Sequence, residues 1–260
     1  MTAQAPTTHG RRASAGSGGR RIGLHVTGVV GELMVTLGAF LLAFVAWQLW
    51  WTDVVGDRAQ AAIVERLDWV PVPRIDAAAP PPVAAPAVVP HRDAPPAIAE
   101  PAHAVTFATL LVPRWGADYE RPVSQGVDRV DVLDPLGIGH YPGTAMPGDV
   151  GNFAISGHRT TYGKPFNRIA ELADGDPIVV RTADTWYVYR VTGTEIVKPA
   201  DIAVIAPVPG QPGTAPTERL ITLTTCNPMY SARERFVVHG ALDYWIPTTA
   251  GFPPEITGGT

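Results

Sequence analysis

Between Val70 and Pro101 the chain carries ten prolines among many alanines. Proline has no backbone N–H to give a helix or a central strand, and its ring holds φ at about −65°. This stretch therefore divides the chain in two, and any packed core lies on one side of it. The prolines predict a semi-rigid polyproline-II spacer of about 3.1 Å per residue, reaching roughly 100 Å in all. Just before it, Asp53–Trp69 keeps Val55, Ala62, Ile63 and Leu67 in loose helical register. Residues 52–102 are thus expected to form a helical stalk and a Pro-rich spacer.

The N-terminal side reads as a tail and an anchor. Residues 1–25 are dominated by Gly, Ser, Ala, Thr and Arg, and predict a disordered tail. Residues 26–51 follow as an apolar span, and Leu33–Trp51 is free of charge. That uncharged part alone makes about 28 Å of helix, enough to cross a bilayer. Trp47, Trp50 and Trp51 form an interfacial belt at its end. Arg11, Arg12, Arg20 and Arg21 precede the span, while Asp53 and Asp57 follow it. The positive-inside rule then predicts a single-pass membrane protein with a cytosolic N-terminus and everything after Thr52 outside, held off the bilayer by the spacer. Ala59-Gln60-Ala61 formally fits a signal-peptidase site. The apolar region is longer than the usual 7 to 15 or so residues and ends in tryptophans, which favours a retained anchor.

Residues 103–247 are expected to be one compact domain, and 248–260 a disordered tail. Strand character marks Ala104–Val112, Asn152–Ser156, Pro177–Thr182, Thr185–Lys198, Arg219–Cys226 and Arg235–Trp245. Helical pattern is confined to Ser124–Leu133 and Phe166–Leu172. Short strands joined by Pro/Gly turns predict a mostly β barrel or sandwich. A net charge of −4 without basic runs argues against nucleic acid as a partner. The single cysteine excludes an intramolecular disulfide and any site with two or more thiolates.

That cysteine ends the run Leu220-Ile-Thr-Leu-Thr-Thr-Cys226. Alternation puts Thr222, Thr224 and Cys226 on one face and Ile221, Leu223 and Thr225 on the other. If the following run from Arg235 pairs with it as a hairpin, Arg235 stands opposite Cys226. A thiol beside a guanidinium suits nucleophilic chemistry, because a fixed positive charge favours thiolate and any developing oxyanion. An inert, buried cysteine is the alternative. A nucleophilic thiol usually works with a histidine. Of the seven histidines, His9 and His25 fall on the cytosolic side or at the membrane edge, His91 in the spacer and His103 at the domain boundary. His239 shares a face with Arg235 but lies four residues along the strand, next to Thr222. His140, in a Gly-rich loop, and His158, where a strand gives way to a loop, both remain open.

Longer segments narrow the choice. Thr222-Leu-Thr-Thr-Cys226 resembles the T-L-x-T-C signature of sortases, the cell-wall cysteine transpeptidases of Gram-positive bacteria. Cys226–Gly240 resembles the class E pattern around the active-site cysteine and arginine. His140-Tyr-Pro-Gly-Thr-Ala-Met-Pro-Gly148 and Ala154-Ile-Ser-Gly-His-Arg-Thr-Thr-Tyr-Gly163 are similar to the class E segments bearing a substrate tyrosine and the histidine. Gly31-Glu-Leu33 and Gln48-Leu-Trp-Trp51 are similar to class E anchors. The resemblance implies an eight-stranded sortase β-barrel with short helices, in which Cys226 is the nucleophile, His158 the acid/base and Arg235 the oxyanion-stabilising residue. Arg233 is the nearby alternative to Arg235, but lies on the loop. The resemblance also gives Tyr141 a part in preferring Leu-Ala-x-Thr-Gly over Leu-Pro-x-Thr-Gly signals. Thr225, beside the nucleophile, is expected to line the acyl pocket. Implied partners are secreted proteins with C-terminal sorting signals and the amine of a lipid II-type peptidoglycan precursor. No cofactor is implied, and no acidic cluster matches the calcium site of class A enzymes. A pilus-polymerising sortase and a non-catalytic, membrane-tethered binding barrel are the rival functions.

Overall fold

The computed structural model describes residues 18–73 and 88–257. The expected tail over 1–17, the middle of the spacer and the last three residues lie outside that set. The chain divides into two compact units, Met1–Leu49 and Trp50–Thr260. Helix α1 spans Gly18–Arg66, so residues 18–25 of the expected tail are helical. Among the described residues one helical segment, Gly28–Arg66, is long and apolar enough to cross a membrane.

In the second unit, eight strands close into a barrel. They are β1 (Thr106–Leu111), β2 (Glu120–Gln125), β3 (Ile138–His140), β4 (Gly151–Gly157), β5 (Pro177–Arg181), β6 (Thr185–Val197), β7 (Arg219–Asn227) and β8 (Glu234–Pro247). The order around the barrel is β1-β2-β3-β4-β7-β8-β6-β5. Two neighbours run parallel, β2 with β3 and β4 with β7. Alternation on each strand fills the interior with one set of side chains. Phe153 and Ile155 on β4, Ile221 and Leu223 on β7, and Val238 on β8 pack there with Leu110, Tyr187 and Tyr189. Leu223 is fully buried, so truncation to alanine costs about 2–5 kcal/mol.

The strands missed in the sequence are β2 and β3. Glu-Arg-Pro-Val-Ser-Gln has a proline and charges where a strand usually has β-branched residues, and β3 is only Ile-Gly-His. The expected helix over Ser124–Leu133 becomes the end of β2, a loop and a π-helical turn, Arg129–Leu133. Asp128 caps that turn, its carboxylate accepting from the N–H groups of Val130 and Asp131. Helix α2, Asp134–Leu136, follows directly.

The stalk and the described end of the spacer do not project freely. After the apolar span, α1 lies on the barrel: Asp53 pairs with Lys164 and Asp57 with Arg121. Gln60 is fully buried and donates from Nε2 to the Tyr162 carbonyl at 2.9 Å. The described part of the proline segment is a strap. The N–H and carbonyl of His91 exchange bonds with those of Trp245, both at 2.9 Å, and the two rings stack at 4.5 Å. The reason lies in strand lengths. β8 continues beyond Ala241, the last residue paired with β7, and leaves an open edge there. An extended proline-rich chain has unspent backbone groups of its own and covers that edge. The tail is also built in as far as Thr257. Helix α3, Pro254–Thr257, buries Ile256 against Trp186, Val188 and Tyr244 on the outer face of the barrel.

Candidate active site

Cys226 stands near the end of β7 on the face turned away from the barrel interior, partly exposed and with an unpaired thiol. Its neighbours follow from strand register. Across the antiparallel pair, Arg235 on β8 is directly opposite, and directly opposed residues share a face. On the other side β4 runs parallel, with Ser156 level with Thr224. Beyond Ser156, β4 ends at Gly157, and His158 follows directly at the start of the next loop. Cysteine and arginine thus face each other across β7 and β8, and the histidine stands just past the end of β4, the other neighbour of β7.

Arg235 Nη1 donates to the carbonyls of Ala232 and Glu234, both at 3.0 Å. These bonds tether its guanidinium at the mouth of the β7–β8 hairpin. Arg233 is exposed in the turn. His158 is bound through Nε2 to Asp134 Oδ1 at 2.7 Å, and its ring lies 5.2 Å from that of Tyr162. His140 is elsewhere and fully buried. Its Nδ1 bonds Gln125 Oε1 at 2.7 Å, and its Nε2 lies 2.8 Å from Thr144 Oγ1 and 3.1 Å from the Ala145 carbonyl. Burial lowers its pKa. It holds the turn that begins at Tyr141. His239 bonds Thr222 Oγ1 at 2.9 Å, away from the thiol, where its strand position placed it.

Tyr141 OH and Thr224 Oγ1 are 3.0 Å apart, so the tyrosine reaches the same face as Cys226, two residues back along β7. Thr225 points the other way. It is 2 % exposed, and its hydroxyl donates to the Gly157 carbonyl at 2.7 Å, tying β7 to the end of β4 just before His158.

Two residues bonded to groups of the site escaped the sequence reading. Asp134 is one, 24 positions before His158. Arg159 is the other: it is buried, with Nη1 donating to Asn227 Oδ1 at 2.6 Å and to the Cys226 carbonyl at 3.3 Å. Its guanidinium lies 5.4 Å from the centre of the Phe236 ring. Burial lowers its pKa, and the negative charge available at Cys226 opposes that shift. A second arginine directly after the histidine was visible in the sequence, but nothing local aimed it at Cys226. Among the described residues no group of three or more His, Cys, Asp or Glu could hold a metal ion.

A model of the sortase domain matches residues 110–243, more than half of the chain, and includes all three of Cys226, His158 and Arg235. The chain belongs to the sortase family. It is 33% identical to sortase SrtE2 of Streptomyces coelicolor over 257 residues, which is 93% of either chain. With sortase SrtE1 of the same organism it shares 35% over 235 residues, 87% of this chain and 60% of that protein. The sortase thus spans less than two thirds of SrtE1 but nearly all of SrtE2. Among solved structures, the SrtA sortase from Actinomyces oris superposes with a TM-score of 0.61 at 44% identity, covering 64% of this chain and 96% of that one. These relatives agree with the class E resemblance and with the eight-stranded barrel. Members of the family are cysteine transpeptidases, and this sortase has one cysteine with which to be one.

Proposed function

We propose that this sortase is a membrane-anchored transpeptidase that cleaves the Thr–Gly bond of a Leu-Ala-x-Thr-Gly or Leu-Pro-x-Thr-Gly sorting signal and joins the threonine to a cell-wall precursor amine. The observation that supports the reading is the opposition of Cys226 and Arg235 across β7 and β8, with His158 directly after the end of β4, the strand that flanks β7 on its other side. The Cys226 thiolate attacks the threonine carbonyl. Arg235 stabilises the oxyanion. The C–N bond to glycine breaks as the His158 imidazolium gives its proton to the departing amine, leaving a thioester on Cys226. The precursor amine then attacks the thioester, neutral His158 takes its proton, and Cys226 leaves as thiolate. Nothing in this cycle needs a cofactor.

Tyr141, bonded to Thr224 on the face of the nucleophile, is assigned to the second residue of the signal. Thr225, expected to line the acyl pocket, is instead assigned to locking β7 to β4 through its bond to the Gly157 carbonyl. The apolar part of α1 is assigned to the membrane, with residues after Thr52 outside, on the charge asymmetry of its flanks.

Intact mass of the full chain in detergent, incubated with a Leu-Ala-x-Thr-Gly peptide, tests the reading. A gain equal to the peptide through threonine, absent in Cys226→Ala and discharged by an added amine, is expected. No adduct with this or the proline-containing peptide, on a folded protein with a titratable thiol, would overturn it.

A further inference from the structure

The loop that carries His158 leaves the sheet at Gly157, so strand pairing stops one residue before the imidazole. An imidazole there has two rotatable torsions and no ladder to hold it. Yet proton transfer needs one ring nitrogen held within hydrogen-bond reach of the reacting groups. The ring is held instead by side chains outside the strands. Nε2 meets Asp134 Oδ1 at 2.7 Å, at the short end of the range for charge-assisted bonds. The His158 side chain is 17% exposed and that of Asp134 21%, so water competes weakly for this bond. Tyr162 lies against the ring from the same loop. Asp134 also meets Arg129 Nε at 3.4 Å, and the Arg129 guanidinium sits 5.9 Å from the centre of the Tyr162 ring. The four residues close a circuit, from Arg129 to Asp134 to His158 to Tyr162 and back.

We infer that Asp134 is the positioning residue for His158, holding the Nε2–H so that Nδ1 exchanges protons with the leaving and incoming amines. This rests on the transpeptidase reading of the site. The chemistry favours it, because both the imidazolium and the neutral Nε2–H tautomer carry the proton that Asp134 accepts. The bond to Asp134 therefore persists through the whole cycle while Nδ1 gains and loses its proton. Without the carboxylate the neutral ring divides between two tautomers, and one of them presents an N–H where a base is needed. The placement of Asp134 is itself secured. It opens α2 directly after the π-helical turn that Asp128 caps, so its backbone is fixed independently of His158.

The test uses the full chain in detergent micelles, as wild type, Asp134→Ala and Asp134→Asn. Two quantities are measured: kcat and KM for transfer of a Leu-Ala-x-Thr-Gly peptide to an amine, and the ¹⁵N shifts of the His158 ring at alkaline pH. Wild type is expected to show the Nε2–H tautomer. Asp134→Ala is expected to show a mixture and a kcat lower by roughly ten- to a hundredfold, with KM within about twofold. Asn keeps an oxygen acceptor, so Asp134→Asn is expected to retain the tautomer and an intermediate kcat. A wild-type kcat and tautomer in the alanine variant would overturn the inference. So would an equal fall in both variants with no change in tautomer, since that marks a structural role. A wild-type protein that makes no thioester with either signal peptide would sink the transpeptidase reading instead, while the ring shifts would still decide whether Asp134 sets the tautomer.

Discussion

At the scale of single residues, the site contains two arginines with different surroundings. Arg235 lies opposite Cys226 on the outer face and is tethered by two carbonyls. Arg159 is buried beneath the turn, bonded to the Cys226 carbonyl and Asn227. Arg235→Ala is expected to lower kcat by roughly 10²–10³ with little change in KM, the signature of a lost oxyanion donor. Arg159→Ala leaves Asn227 Oδ1 and a strand-end carbonyl without their donor, and is expected to cost about 1–3 kcal/mol of stability. Thermal unfolding beside steady-state kinetics separates the two: the Arg235 variant melts as wild type, the Arg159 variant does not. Tyr141→Phe deletes only the hydroxyl that meets Thr224. It is expected to leave the thioester step intact and to change the ratio of kcat/KM between the alanine- and proline-containing peptides. An unchanged ratio would remove Tyr141 from signal selection.

At the scale of elements, the contact between the end of α1 and the loop after His158 is the one that a substitution can probe most sharply. The helix backbone approaches the loop backbone closely at Gly56. A Cβ there would lie 2.4 Å from the Gly163 nitrogen and 2.5 Å from the Tyr162 carbonyl carbon, and backbone atoms cannot swing aside. Gly163 itself has φ of +73°, which favours glycine. Gly56→Val is expected to lift this part of α1, break the Gln60 bond to Tyr162 and destabilise the protein by about 1–3 kcal/mol. In an unfolding experiment that is a fall of roughly 2–4 °C per kcal/mol for a unit of this size. Limited proteolysis within residues 52–66 should rise with it. Equal protease resistance in the valine variant would mean that the helix is held by its ion pairs alone. The helix itself was legible in the sequence, as apolar length followed by loose helical register. Its docking was not, since a buried glutamine and a glycine in a helix look like surface residues until their partners, more than a hundred positions away, are in place.

At the scale of the whole molecule, His140 joins several segments that are distant in sequence. Gln125 on β2 bonds its ring and also donates to Glu100 in the strap, while Thr144 ties it to the Tyr141 turn. The rings of Phe107 and Phe153 pack around it. Burial holds its pKa below the ordinary 6.5, with Glu100 and the Ala145 carbonyl opposing in part. The unfolded chain therefore takes up this proton first as pH falls. The contribution is fully present above about pH 6.5 and is lost progressively below it, until pH passes the depressed folded value. Melting of the wild type should decline from about pH 7 to about pH 5 more steeply than that of His140→Gln, which has no such proton to take up. Parallel declines would show that the buried imidazole carries no part of the acid sensitivity.

The sequence by itself determined whatever depends on contiguous residues. Apolar length gave one helix long enough for a bilayer, alternation put Thr222, Thr224 and Cys226 on one face, and four ordered motifs pointed to the family. The opposition of Cys226 and Arg235 was legible too, because a hairpin's register follows from its short connection. The tertiary structure decided the rest. A parallel neighbour has no connecting turn to announce its register, so the pairing of β4 with β7, and the burial of His140 against Gln125 and Thr144, waited for the closed barrel. The proline segment became a strap because β8 outruns β7 and leaves an edge to be covered. Asp134 and Arg159 acquired their partners only when loops far apart in the chain were packed around the same strand ends.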